Sequence, residues 1–499
     1  MREIRPVARY DAIVCGGGTG GSVVAARLVE AGRRVLLLEA GPDYGGFGEG
    51  RWPAELLDAR TLPFTHDWGY TAGDELPGRS LNYERARVIG GCSAHNGCTV
   101  SWGHRADYDG WRALGLDGWG ADDLLPLFRE ASSRLRVRRF ADDEIAPFHG
   151  AFIEAGVSMD LPELDDLESL DGVPGVCAEP SNSPHGIRWN AAFAYLDPVR
   201  SRPELVIAAD TLVDRVLVEN GRAVGVAASG PEGAFEARAE LVIVAGGTYG
   251  SPAILLRSGI GPAGELRALG VEVIEDLPVG RNLRDQPSFE LLFAPSDELL
   301  RRTKEFEATG RTVPDEQGFA KGESGRAQAA GEPFDLHVFP EISLDGRLGV
   351  FVAVLTPRSR GALTLGGLDP GAAPRLDHAY LSDPNGHDIE ALLDGIELAR
   401  TFAATEPFAS MLDRELEPGP AANARHDLRD AVRTGVIHYW HPVGTCAMGA
   451  VTDASGHVLG VDSLVVADAS VMPSAPRATT NVPTVVVAER IASALTEAP

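Results

Sequence analysis

The sequence predicts an α/β fold: a Rossmann-type sheet assembled from separated stretches of chain, with an α+β unit carrying a mixed or antiparallel sheet inserted between them. Three observations lead there. Near the N-terminus the apolar run Asp11-Ala-Ile-Val-Cys15 enters Gly16-Gly-Gly18-Thr-Gly-Gly21. A helical stretch follows from Ser22 to about Ala31, and a second apolar strand, Arg34 to Leu38, ends on Glu39. Buried-strand patterns recur far downstream at Leu241–Ala245 and Ser463–Ala467. Between them, from about Pro287 to Val436, the chain changes character to alternating apolar runs and separate helical patterns.

The first unit has a definite physical reading. Gly16 permits a tight turn, Gly18 lets backbone approach a pyrophosphate, and Gly21 lets the helix pack closely on the strand. The helix N-terminus, which Thr19 and Gly20 lead into, offers unpaired N–H groups and positive partial charge. Glu39, with Ala40 beside it, stands where a carboxylate accepts hydrogen bonds from a ribose diol. A bound dinucleotide is therefore expected; the turn by itself does not separate NAD from FAD.

The remaining elements follow in order. A short helix is expected at Ala121–Ser132, then an acidic segment, Asp142–Asp171, read as a peripheral excursion. Leu205–Ala209, Thr211–Val218 and Ala223–Ala227 read as a hairpin or three-stranded meander with Asn220-Gly221 as its turn. Leu241–Ala245 reads as a buried parallel strand, ending at Gly246-Gly247 before a helix from about Ser251. In the insert, Asp297–Arg311 reads as a charged, loose stretch, with strands at Phe334–Phe339 and Gly349–Leu355. Helices are expected at Asp388–Thr405 and Ala424–Thr434, and a final helix at Pro483–Thr496. The implied division is 1–150, 200–287 and 437–499 for the nucleotide domain, and 151–199 and 288–436 for a substrate domain.

Composition narrows the function. The 499 residues give room for two or three cores, and 44% apolar with 23% charged content is that of a globular enzyme. A net charge of -27 argues against nucleic acid or an anionic membrane as partner. Five scattered cysteines form no disulfide framework or metal pattern. No apolar run reaches membrane-spanning length, and Met1–Tyr10 leaves no room for a signal peptide, so a cytoplasmic location is expected.

Further motifs bring the cofactor into view. Arg85-Ala-Arg-Val-Ile-Gly-Gly-Cys-Ser-Ala-His-Asn-Gly97, the Gly246–Pro262 segment, His441-Pro-Val-Gly-Thr-Cys-Ala-Met-Gly449 and Val466-Ala-Asp-Ala-Ser470 through Thr480-Asn-Val-Pro-Thr484 occur in that order. Gly280-Arg-Asn-Leu-Arg-Asp285 and Thr356–Gly361 fall between them. Together they resemble the glucose-methanol-choline family of flavin oxidoreductases along essentially the whole chain. The resemblance implies FAD, held by the Gly16–Gly21 turn, Glu39, Ala40, Arg87, Gly91, His95, Asn96, Gly97, Val213, Asp468, Ala469, Asn481, Pro483 and Thr484. It implies that His441 removes the hydroxyl proton of an alcohol while Asn481 hydrogen-bonds the same oxygen. Hydride then passes to flavin N5, and O2 or another electron acceptor reoxidises the flavin. His438 reads as structural. Asn481 precedes the last helix, whose dipole would stabilise negative charge on reduced flavin.

The glycine-rich segment resembles the choline-oxidase-like branch, departing from it at Ala94 and Gly97. There the resemblance implies a covalent histidyl-FAD bond at His95, the alternative being a non-covalent histidine lining the flavin. For the substrate it implies a small-molecule alcohol, with Trp68 as an aromatic face for a cation, Glu316 as its anionic partner and Trp440 nearby. Choline itself and hydroxynitrile lyase chemistry on the same fold stand as alternatives. The oligomeric state stays open between monomer and homodimer.

Overall fold

A computed structural model describes residues 10–71, 81–165, 167–311, 313–342 and 346–497; of the N-terminal stretch read above, Met1 to Arg9 lie outside them. Its first sheet is organised around Tyr10–Cys15, which pairs in parallel with Val35–Leu38 on one side and Gly233–Val244 on the other. Leu205–Ala208 and Leu464–Val466 extend this parallel core at its two flanks. These strands are continuous apolar runs, as suits a sheet covered on both faces: Ile13, Val14, Leu36, Val242 and Val465 are fully buried. The helices Thr19–Glu30 and Asn481–Glu497 pack against each other.

Gly233–Val244 has two roles. Its C-terminal half lies in the parallel core, and its N-terminal half closes an antiparallel meander with Arg222–Gly230 and Leu212–Glu219. Asn220 and Gly221, at φ 51° and 76°, make the turn read from sequence. Leu205–Ala208, expected within that meander, joins the parallel core instead. Its unbroken apolar run suits burial, and the chain turns at Asp210 (φ 50°) before the meander starts.

The second sheet has the order Leu412–Glu417, Pro287–Pro295, Leu348–Val354, Leu336–Ile342, Gly318–Gly322, Gly175–Ala178, with Ile437–His438 beside Pro287–Pro295. Every pairing is antiparallel. Side-chain alternation splits its faces. Leu336 and Val338 pack with Phe152, Ile396 and Phe402 of the helices Pro147–Ser158 and His387–Ala403. Phe339 packs with Phe319, Phe351 and Tyr439 on the opposite face, which is turned to the functional cavity.

Two sequence expectations are corrected here. Asp297–Arg311 is not loose: Asp297–Glu307 is a helix capped by the Ser296 hydroxyl and laced by Glu298–Arg301, Glu298–Arg302 and Arg301–Glu305 pairs. Its charge density hid it. Nor is Asp142–Asp171 peripheral, since it contains the helix Pro147–Ser158, which buries Phe148, His149 and Phe152 against the second sheet. Among the described residues no helix is long and apolar enough to cross a membrane, and no cluster of His, Cys, Asp or Glu could hold a metal ion.

Candidate active site

One continuous cavity of about 370 Å³ runs from the carboxyl ends of the parallel strands to the open face of the antiparallel sheet. At the strand end, Gly16 takes φ 110°, and a Cβ there would stand 2.4 Å from the Ala245 carbonyl oxygen. Cβ atoms on Gly20 and Gly21 would reach 2.2 Å from the Ala467 oxygen and 1.9 Å from the Gly16 oxygen. Helix and strands therefore touch backbone to backbone, which aims the first turn of Thr19–Glu30 at the cavity. Glu39 is clamped there: its two carboxylate oxygens accept from the N–H groups of Gly17 (2.7 Å) and Gly41 (2.8 Å). Burial nonetheless raises its carboxyl above the ordinary value. Asp468 ties the Gly247 N–H and the Ser251 hydroxyl to one oxygen and the Ser470 N–H to the other.

Midway along the cavity stand His441 and Asn481. His441 follows Trp440, a residue in the left-handed region at φ 58°. Its N–H donates to Asp285 Oδ1 (2.9 Å), and its Nδ1 is 2.7 Å from Gln286 Oε1. Burial, with Arg85 and His438 close by, pushes the imidazole down to about 3. Asn481 opens the last helix. Its Nδ2 is buried without a partner, as are Asn96 Oδ1 and Arg85 Nε, all three on residues lining the cavity. His438 bonds the Asn82 carbonyl through Nε2 at 2.8 Å, as a structural histidine does. His95 lies 2.9 Å from the Thr65 carbonyl through Nε2. That nitrogen carries the hydrogen, Nδ1 keeps the lone pair, and burial lowers the ring's pKa.

The far end is lined by Phe339, Tyr439, Trp440, Phe64, Glu316 and Glu341. The Thr99 hydroxyl lies 2.9 Å from a carboxyl oxygen of both Glu179 and Glu316. The hydroxyl hydrogen points to one of them or is shared by both, and a proton on either carboxyl would make that carboxyl the donor. Burial pushes Glu316 up to about 7 and holds Glu179 and Glu341 well above the carboxylate range.

Of the residues read from sequence, the cavity brings together Gly16, Gly18, Thr19, Gly20, Glu39, Ala40, Gly91, His95, Asn96, Gly97, Val213, Asp468, Ala469, Asn481, Thr484, Trp68, Glu316, Trp440 and His441. Gly21, Arg87 and Pro483 stand behind the wall. Gly21 holds helix to strand, while Arg87 bonds the Ala40 carbonyl and lays its guanidinium 4.9 Å over the Trp68 ring. The aromatic face proposed for a substrate cation thus carries a protein cation already, and Trp68 also stacks on Tyr70. Sequence reasoning missed Asp285, Gln286, Glu341 and Tyr439. The Gly280–Asp285 segment was the available signal for the first two, and the period-two alternation that puts Phe339 and Glu341 on one face was the signal for the third.

The chain matches the N-terminal GMC oxidoreductase family over residues 10–288 and the C-terminal one over residues 357–488. It is 32% identical to choline oxidase of Arthrobacter globiformis, over 98% of this chain and 94% of that protein. It is 34% identical to 5-(hydroxymethyl)furfural oxidase of Methylovorus sp., over 97% and 98%. Among solved structures it is similar to pyridoxine 4-oxidase from Mesorbium loti, with a TM-score of 0.87, 30% identity and coverage of 98% and 100%. The chain belongs to the GMC oxidoreductase family and is an FAD-dependent alcohol oxidoreductase.

Proposed function

We propose that the protein oxidises a small primary alcohol to the aldehyde, with His441 as the base and Asn481 as the group that orients the alcohol oxygen. The observation that carries this reading is the placing of a buried imidazole, engaged by the protein through Nδ1, and an unpartnered amide donor in the same cavity as the dinucleotide turn. His441 takes the hydroxyl proton on Nε2, the ring nitrogen that has no hydrogen-bond partner among the described residues. Asn481 Nδ2 donates to the oxygen as its negative charge develops, and the helix that Asn481 opens favours that charge. FAD, when bound, accepts the hydride, and O2 or another acceptor removes the electrons.

The residues present fit FAD. A Cβ on Gly247 or Gly250 would meet no protein atom within 4 Å, and both residues line the cavity. The orphaned Asn96, Arg85 and Asn481 atoms await ligand partners. Thr19, Gly20 and the helix start bind the pyrophosphate, Glu39 the ribose, and Asn96, Gly97 and His95 border the flavin. The first sheet and its helices form the nucleotide unit, joined by residues 189–199, whose Trp189 and Phe193 share its core. The second sheet, with the helix Pro147–Ser158, forms the substrate unit.

At the substrate end, Glu316 and Glu341 beside Phe339 and Tyr439 favour an alcohol whose remote part carries hydrogen-bond donors or positive charge over a purely apolar one. His95, whose Nε2–H is held by the Thr65 carbonyl, would hold the flavin covalently through Nδ1, the C8α–N bond replacing a C8α–H bond with O2 taking up the two electrons and the protons. The test is a turnover panel of choline, 5-(hydroxymethyl)furfural, pyridoxine and an aliphatic alcohol, paired with acid precipitation of the purified protein. Oxidation of a polar or cationic alcohol, with yellow colour held in the pellet and lost in His95→Ala, is the expected result. Flavin released to the supernatant would end the covalent assignment, and turnover of the aliphatic alcohol alone would end the substrate assignment.

A further inference from the structure

We propose that Gln286 is a positioning residue that selects the basic atom of His441, holding the ring with its hydrogen on Nδ1 and its lone pair on Nε2. The inference rests on His441 acting as the base; it adds which nitrogen acts and what keeps it so. The orientation of the Gln286 amide is settled by its surroundings. Nε2 donates to the carbonyl oxygens of Leu355 (3.2 Å) and Pro476 (3.0 Å), two atoms that can only accept. Oε1 is therefore the atom 2.7 Å from His441 Nδ1, and because an amide oxygen only accepts, the hydrogen lies on Nδ1.

The arrangement is rigid at both ends. Gln286 is fully buried. Asp285 Oδ1 receives the N–H groups of both Gln286 and His441, at 2.8 and 2.9 Å, so the two residues hang from one carboxylate oxygen. The Tyr380 hydroxyl holds the other oxygen at 3.0 Å.

An amide at this position orients without adding charge. The alcohol proton moves to Nε2, and the resulting imidazolium keeps its Nδ1–H on Gln286 Oε1 until Nε2 releases the proton. A carboxylate in its place would favour the imidazolium, raise the ring's pKa and leave a larger share of the resting enzyme protonated as pH falls. The other charged and titratable groups that face the ring are Arg85, Asp285, His337, His438 and Tyr439. Among them Arg85 opposes a positive ring.

The test begins with ¹⁵N NMR of histidine-labelled holoenzyme without substrate. The expected result is a neutral His441 with Nδ1–H from pH 8 to about pH 5. Gln286→Leu should lower kcat/KM by roughly 10- to 100-fold, the range for losing an orienting partner, with KM little changed and the flavin spectrum retained. Gln286→Glu should restore the Nδ1 tautomer and move the acid limb of kcat/KM up by a pH unit or more. Nε2–H in the resting enzyme would overturn the proposal. So would an unmoved acid limb in Gln286→Glu. Should Gln286→Leu fail to fold, the wild-type spectrum and the glutamate variant decide. The Nδ1 tautomer in a protein that oxidises no alcohol would instead overturn the base role of His441 and leave the Gln286 assignment standing.

Discussion

His441 combines three properties that a proton acceptor needs: a neutral ring, a fixed tautomer and an open nitrogen on a cavity wall. Burial, reinforced by Arg85 and His438, sets the first. The pH dependence follows. With the ring held near 3, the proposed base is unprotonated well below the ordinary histidine range, so once Glu316, pushed up to about 7, is removed as Glu316→Gln, kcat/KM should stay flat from pH 8 down to about pH 5. An acid limb near 6.5 that persists in Glu316→Gln would show that the ring is not desolvated as described. The glycine turn was legible in the sequence because its spacing is fixed by local geometry, whereas His441 and Asn481 were read from the family resemblance of the motifs that hold them. Gln286 was not, because its meaning lies in two carbonyls, of Leu355 and Pro476, brought to it from 69 and 190 residues away.

At the scale of elements, the strand-turn-helix at Tyr10–Glu30 depends on absent side chains. A methyl on Gly21 would be driven to 1.9 Å from the Gly16 carbonyl oxygen, a clash between two backbones that no rotamer relieves. Gly21→Ala is expected to lose flavin and to unfold at clearly lower urea concentration. Gly264→Ala serves as its control. Gly264 is exposed in the helix Ala263–Ala268 with nothing within 4 Å of a Cβ, and should gain about 0.5–1 kcal/mol. Equal behaviour of the two variants would contradict the close-packing argument. The parallel strands were readable as unbroken apolar runs, and the Asn220-Gly221 turn as a dipeptide. The helix Asp297–Glu307 escaped because its support is i,i+4 ion pairing rather than an apolar stripe. The place of Leu205–Ala208 escaped because pairing partners are a tertiary choice.

Across the whole molecule, function arises where two sheets of different character meet, one supplying strand ends and helix termini, the other an aromatic and carboxyl-bearing face. The buried histidines make this assembly acid-sensitive. His149, His438 and His441 are lowered to about 4, 3 and 3, so as pH falls the unfolded chain binds their protons first. Their contribution is fully present above about pH 6.5 and is lost as pH falls toward 4 and 3, by about 1.4 kcal/mol per histidine per pH unit at most. The raised carboxyls of Glu179, Glu316 and Glu341 act in the opposite sense, so the histidine share is read as a difference: between pH 7 and pH 5 the urea midpoint of His149→Gln should shift in the stabilising direction relative to that of the wild type.

The proposed mechanism has His441 activate an alcohol for hydride loss inside this cavity. It is tested by mixing the oxidised holoenzyme anaerobically with its best alcohol from the panel and following the flavin band. Rapid bleaching is expected, slower with the alcohol deuterated at the reacting carbon and reduced by about 10²- to 10⁴-fold in His441→Gln. An alcohol that binds without bleaching the flavin, or bleaching that survives unchanged in His441→Gln, would contradict the mechanism.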